Sequence, residues 1–267
     1  MKSFIELAHE RFGAQRLEDL GKREFKALIE DGIARGLAAS TLEARCSHLV
    51  KFGCLTGQAQ SAIALGHKLH RRIRELKAEG TLPQPERVTP SRETADRAIA
   101  ILRGWDQRHE TRTGRPRAYH LAARLQLLTS ARSVSVTERL TRERLKGDHR
   151  IECIGKGGRP LLAAVPPDLY AAVIEHLKRA GEPLADRDGY RMAWRRAVKV
   201  ARGKATGTHG LRRRAACNVY SETYGRLAGG GMSPQDARRE ARAEAVERLG
   251  HSRDRADQAA CYLGPAA

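Results

Sequence analysis

Three prolines within eight positions, in Pro83-Gln84-Pro85-Glu86-Arg87-Val88-Thr89-Pro90, constrain this chain more than any other feature. Each proline removes a backbone donor and pushes the residue before it out of the helical region, so neither a helix nor a central strand can run through the stretch. The cluster therefore reads as a linker over residues 83–92, joining a domain of residues 1–82 to one of residues 93–267. On its N-terminal side, residues 3–12, 21–36 and 40–53 carry apolar side chains at helical spacing, and a further helix is expected over 58–77. Ala39-Ser40-Thr41-Leu42-Glu43 reads as a capped helix start with Ser40 as the cap and Glu43 closing a capping box. The first domain is thus expected to be a compact helical module.

Beyond the linker, helical spacing resumes over 91–108, residues 112–117 read as a basic loop, and 119–130 as an apolar helix ending in Ala131-Arg132. The pattern then changes. Ile151, Cys153 and Ile154 precede Gly155-Lys156-Gly157-Gly158-Arg159, and residues 161–165 are again apolar. Glycines supply the positive φ angles that a tight turn requires, so this segment reads as a β-hairpin. Helices are expected near 168–179, 187–202, 209–226 and 233–249, the last two separated by Gly229-Gly230-Gly231. The expected fold class is mainly α with a small β-sheet (α+β).

A chain of 267 residues with 50 Lys and Arg against 31 Asp and Glu carries a formal charge of +19, which favours a polyanionic partner, nucleic acid first. Most of that field belongs to the second domain, because residues 1–85 contribute only +4 and the remainder +15. No apolar run of membrane-spanning length and no basic-then-apolar leader is evident, so a cytoplasmic, nucleoid-associated location with no membrane partner is expected. Aromatics make up only 4%, which supplies stacking on single strands poorly and favours double-stranded DNA. The five cysteines, Cys46, Cys54, Cys153, Cys217 and Cys261, show no zinc spacing and read as reduced thiols. Neither a metal nor another cofactor is expected.

Breaking a phosphodiester without a metal requires a nucleophile, cations to hold charge growing on the phosphoryl oxygens, and an acid for the departing oxygen. Arginine suits the second role, since its planar fork matches phosphate geometry and stays charged. In Thr208-His209-Gly210-Leu211-Arg212, His209 and Arg212 stand three residues apart at a helix start, where one phosphate could touch both. An ordinary phenol ionises only near pH ~10, so a tyrosine nucleophile at neutral pH needs a neighbouring base or a cationic field.

His209-x-Leu211-Arg212 resembles the His-x-x-Arg box of the tyrosine recombinases, the phage-integrase family. Further matches follow that family's order: Ala131-Arg132 resembles its first arginine, and Lys156 its hairpin lysine. Leu249-Gly250-His251-Ser252 with Tyr262-Leu263-Gly264 resembles its Leu-Gly-His box and terminal tyrosine. The resemblance spans roughly residues 95–264, with an echo of the N-terminal DNA-clamping domain at Gly36-Leu37-Ala38-Ala39-Ser40-Thr41. Taken singly, each residue has an ordinary structural reading: Lys156 as a turn lysine, Arg132 as a surface charge, His251 as a cap. The ordered set of six is what points to chemistry.

The resemblance implies a core-DNA-binding domain followed by a catalytic domain. It also implies a site-specific recombinase that breaks and rejoins duplex DNA through a 3′-phosphotyrosyl link. Tyr262 would be the nucleophile and Arg132 and Arg212 the phosphate clamp. Lys156 would be the acid for the 5′-oxygen, His209 the proton acceptor, and His251 a further hydrogen-bond donor. It implies a homo-tetramer on paired sites, with accessory DNA-bending proteins. One departure stands out: three positions after Arg132 the family usually has an acid, whereas this chain has Ser135, with Glu138 the nearest carboxylate. The interval from Arg212 to His251 is also longer than in many members. Two alternatives remain open at this point, a non-cutting DNA-binding regulator or architectural protein derived from a recombinase, and an enzyme like the type IB topoisomerases.

Overall fold

The computed structural model describes residues 6, 9, 10, 12, 13, 21–55, 59–83, 88–154, 158, 160–204, 206–252, 262 and 263. The chain divides into two compact units, Met1–Glu86 and Arg87–Ala267. Residues 84–87 of the proline-rich stretch lie outside the described residues.

The first unit is built on three helices: α1 (Lys22–Ala34), α2 (Ala39–Leu55) and α3 (Ala59–Ala78). Residues 6, 9, 10 and 12 are helical as well. Phe25, Leu28 and Ile29 of α1, Leu42, Cys46 and Leu49 of α2, and Leu69, Ile73 and Leu76 of α3 form one buried cluster. Their three- and four-residue spacing is the apolar stripe that the sequence displays. Helix α2 begins one residue before the expected cap: the carbonyl of Ala38 already accepts from the amides of Thr41 and Leu42, so Ser40 falls inside the first turn. At Gly66 in α3 a Cβ would run into Val50 of α2, so the pair packs closer than a side chain there would permit.

The second unit opens with α4 (Arg92–Thr113), α5 (Tyr119–Thr129) and the single turn α6 (Ser133–Val136). Helix α4 is capped by the Ser91 hydroxyl, which accepts from the Thr94 amide, and ends at left-handed Gly114. It runs through Thr113, so the first residues of the expected basic loop are helical. A three-stranded antiparallel sheet follows: β1 (Leu145–Lys146), β2 (Arg150–Ile154) and β3 (Pro160–Ala164), in the order β1-β2-β3. Ile151 pairs with Ala163 and Cys153 with Leu161. Ile151 and Cys153 alternate inward, as period-2 strands require. The hairpin β2–β3 was legible beforehand, whereas β1, two residues long, is too short to leave an alternating pattern.

Four helices complete the unit: α7 (Pro167–Ala180), α8 (Arg187–Val200), α9 (Thr208–Gly229) and α10 (Pro234–Arg248). The architecture is mainly helical with one small sheet, the expected class. Trp194 and Tyr190 of α8 are wholly buried at the centre of its core, together with Leu102, Leu125, Ile151 and Leu169. The Tyr190 hydroxyl donates to Gln126 Oε1 at 2.9 Å, which gives a buried polar group its partner. Among the described residues, no helix is long and apolar enough to cross a membrane.

Candidate active site

Arg132 is positioned by a chain reversal. Helix α5 stops at Thr129, Ser130 takes a left-handed φ of 56°, and Gln126 Nε2 donates to the Ala131 carbonyl at 3.1 Å. The Thr129 hydroxyl accepts from the Ala131 amide at 3.2 Å. Those bonds hold half-buried Arg132 as the residue that precedes α6.

Arg212 and His209 ride on the first turns of α9. The turn is held down by the segment before α4. Thr206 Oγ1 donates to the Val88 carbonyl at 3.0 Å, and Arg214 Nε donates to the Pro90 carbonyl at 2.7 Å. At Gly210 a Cβ would run into the Thr206 side chain and approach Pro90, so only glycine fits between His209 and Leu211. His209 is exposed, while Arg212 is only 3% exposed.

A guanidinium so buried needs partners. Arg212 Nη2 donates to the backbone carbonyl of Leu249, just past the end of α10. Its Nε has no hydrogen-bond partner among the described residues. Burial pushes the Arg212 guanidinium below its ordinary pKa, Tyr262 acts in the opposite sense, and the nearby positive charge of Arg132 adds to the depression. A low-dielectric pocket holding two like cations gains from the arrival of an anion.

The Leu249 carbonyl belongs to the turn that presents His251. The amides of Gly250 and His251 bond to the carbonyls of Glu247 and Val246, and Gly250 has a φ of 76°. His251 and Tyr262 rings lie 6.3 Å apart between centroids, and His209 and Tyr262 rings 5.5 Å apart. The Arg212 guanidinium carbon stands 5.7 Å from the Tyr262 ring centroid. Arg132, Arg212 and His251 all line one concavity of about 280 Å³, to which Ile154 and Leu161 of the sheet also contribute. Tyr262 adjoins it through Arg212, and His209 through Tyr262.

Five of the six residues singled out from the sequence are thus described, and they gather around one place. Lys156, between β2 and β3 in the sequence, lies outside the described residues, as does Cys261. Ser135 is 1% exposed and donates from Oγ to the Ile154 carbonyl at 2.5 Å. It ties α6 to the end of β2 beside the cavity, which a carboxylate could not do by donation. Glu138 is exposed and lies 3.9 Å from Arg187. Two further contributors escaped the sequence reading. Glu247 lines the cavity; its place one helical turn before His251 was the available signal. The Cys217 thiol donates to the Tyr262 carbonyl at 3.8 Å, a contact without local signature. Among the described residues, no group of three or more His, Cys, Asp and Glu side chains is arranged to hold a metal ion.

No protein-family model matches the chain, and no curated protein matches it. Solved structures do. XerH site-specific recombinase bound to difH substrate, in a pre-cleavage complex, aligns with TM-score 0.53 and 12% identity over 96% of this chain and 70% of that one. The Tn1549 transposon integrase in complex with transposon right-end DNA aligns with TM-score 0.51 and 15% identity over 100% of this chain and 91% of that one. The fold is that of the tyrosine recombinases. A post-cleavage complex of XerH with a palindromic difH substrate aligns similarly, with TM-score 0.51 and 14% identity. In this tyrosine-recombinase fold, the sheet end, the first turns of α9 and the end of α10 meet at one cavity.

Proposed function

We propose that this chain is a site-specific DNA recombinase that breaks and rejoins duplex DNA through a 3′-phosphotyrosyl intermediate, with no metal or nucleotide cofactor. The observation that carries the reading is the gathering of His209, His251 and the buried Arg212 about Tyr262.

The Tyr262 phenolic oxygen attacks the scissile phosphorus. As that bond forms, the bond to the 5′-oxygen breaks, so the number of phosphodiester linkages is conserved and rejoining needs no external energy. Arg132 and Arg212 hold the non-bridging oxygens while negative charge grows on them, in a setting too dry for water to do the same. His209 accepts the phenolic proton, Lys156 protonates the leaving 5′-oxygen, and His251 donates a further hydrogen bond. A free 5′-hydroxyl reverses the sequence. The unit Met1–Glu86 serves as the DNA-clamping domain and Arg87–Ala267 as the catalytic one. Double-stranded DNA is the partner, bound by phosphate contacts that make affinity steeply salt-dependent. The working assembly is a homo-tetramer on two paired sites, aided by accessory DNA-bending proteins.

The test is denaturing electrophoresis of the protein incubated with nicked duplexes taken from DNA flanking its own gene, beside Tyr262→Phe. A protease-sensitive adduct that requires Tyr262 is expected. Tight, salt-sensitive binding with no adduct on any such duplex overturns the recombinase reading in favour of a non-cutting DNA-binding protein.

A further inference from the structure

A second cationic pocket lies in the same unit and shares no residue with the cavity around Arg212. Trp105, Arg108, His109 and Arg112 of α4 follow one another at three, four and seven residues, so they form a single stripe on that helix. With Thr111 and Arg117 they line a pocket of about 520 Å³, within the roughly 300–1,000 Å³ of small-ligand sites. No carboxylate is among its lining residues.

Arg117 is held in place by the buried carboxylate that it neutralises. Its Nε donates to Asp106 Oδ1 at 2.8 Å, its Nη2 donates to the Trp105 carbonyl at 3.1 Å, and its guanidinium lies 4.8 Å from the Tyr119 ring centroid. Asp106, only 2% exposed, also accepts from the backbone amide of His120 at 2.9 Å. The loop arginine is therefore oriented before any ligand arrives, which lowers the entropic cost of binding. Arg108 and Arg112 are exposed and make no ion pair with any described residue. Of the neighbouring acids, Asp106 is paired with Arg117 itself, leaving Arg108 and Arg112 as the pocket's uncompensated charges, and Glu110 is paired with Arg179. The half-buried indole of Trp105 packs on the core and lines the pocket beside these cations.

We infer that this pocket binds a nucleotide of unpaired or single-stranded DNA, the base stacked on Trp105 and its phosphate held between Arg108, Arg112 and Arg117. An aromatic platform flanked by guanidinium groups is the recurrent physical solution for an unpaired nucleotide, since every base has a π-face and every nucleotide a phosphate. An acidic peptide would satisfy the arginines but leave the indole unused. The inference rests on the recombinase reading, which supplies both DNA as the polyanion and a source of unpaired nucleotides. Strand exchange exposes unpaired bases, and a site away from the nucleophile would hold them without competing for it.

The experiment uses the full chain labelled with 5-fluorotryptophan, whose two residues, Trp105 and the wholly buried Trp194, give separate fluorine resonances. Trp105→Phe assigns them. A short oligothymidylate is expected to shift the Trp105 resonance saturably and leave Trp194 in place, whereas poly-glutamate does neither. The double variant Arg108→Ala/Arg112→Ala is expected to weaken this binding about tenfold or more. It should also retain the adduct on nicked duplex. No shift at Trp105 overturns the inference, as does an equal shift with poly-glutamate, or unchanged affinity in the double variant. A Trp105 response in a protein that forms no adduct upholds this pocket while the recombinase reading falls, so the two failures are distinguishable.

Discussion

The Arg212 guanidinium carbon lies 5.7 Å from the centroid of the Tyr262 ring, although fifty residues of chain separate the two. The same side chain donates to the Leu249 carbonyl, so it joins the start of α9, the end of α10 and the tyrosine in a single contact set. A cation over a ring within about 6 Å is attracted by the ring's negative face, by about 2 kcal/mol where water is excluded. Arg212 thereby has a structural and an electrostatic task, and substitutions separate them.

Arg212→Ala is expected to abolish the covalent adduct and to destabilise the second unit by about 1–3 kcal/mol, since the Leu249 carbonyl loses its donor. Arg212→Lys keeps the charge but not the planar fork, and adduct formation should fall by about 100-fold or more with a smaller loss of stability. Adduct yield and chemical denaturation of the same preparations check both. Equal losses in the two variants would mean that only folding was damaged.

Ser135→Ala leaves the Ile154 carbonyl without its donor at a site 1% exposed. A cost of about 1–3 kcal/mol is expected in urea denaturation. Adduct formation should fall with it at elevated temperature, because α6 and the end of β2 both border the cavity.

Gly210→Ala forces a methyl group against Thr206. The expected cost is about 1–3 kcal/mol, with loss of adduct as His209 and Arg212 shift. Adding Thr206→Ala removes the obstructing atoms, so the second substitution should cost less on this background than on wild type. A double-mutant cycle by thermal denaturation measures the difference.

Burial raises the Cys46 thiol to about 11 and the Cys153 thiol to about 11, and raises the wholly buried Tyr190 hydroxyl well above its usual value. Each group holds its proton more tightly folded than unfolded. The stability this represents is complete below the unfolded thiol value of about 9 and is lost as pH rises through about 11. Unfolding free energy should therefore be level between about pH 7 and pH 9 and decline above that. Cys46 and Cys153 lie in different units, so both transitions should weaken, and Cys153→Ala should lessen the decline in the second alone, with Tyr190 and Cys217 accounting for what remains. A stability that climbs with pH in that range would contradict the assignment of buried, protonated thiols.

Helix positions were legible in the sequence because a helix is specified by residues within four places of one another. The apolar stripes of α1, α3, α7 and α8, the proline cluster, and the glycine-rich turn between β2 and β3 each act through near neighbours. The six candidate residues were picked out in order by resemblance to the tyrosine-recombinase motifs, which is possible because each of those motifs is short. Nothing local marked β1, whose two residues acquire strand geometry only by pairing with Arg150 and Ile151. Glu247 carried only its place one turn before His251 as a signal that it would line the cavity, and nothing local marked Cys217 as a donor to the Tyr262 carbonyl.

The amino-acid sequence by itself determined the helical class and the positive field, which follow from short-range periodicity and composition, while the candidate residues came from the resemblance of short motifs to those of the tyrosine recombinases. Tertiary structure alone decided that Arg212 is buried, that Ser135 serves as a donor to Ile154, and that Tyr262 meets His209, His251 and Arg212. Those are contacts between segments tens of residues apart, and burial is a property of what packs against a side chain. The free energy that brings such segments together comes from the shared core around Trp194, not from the motifs themselves, so no reading of one motif could contain it.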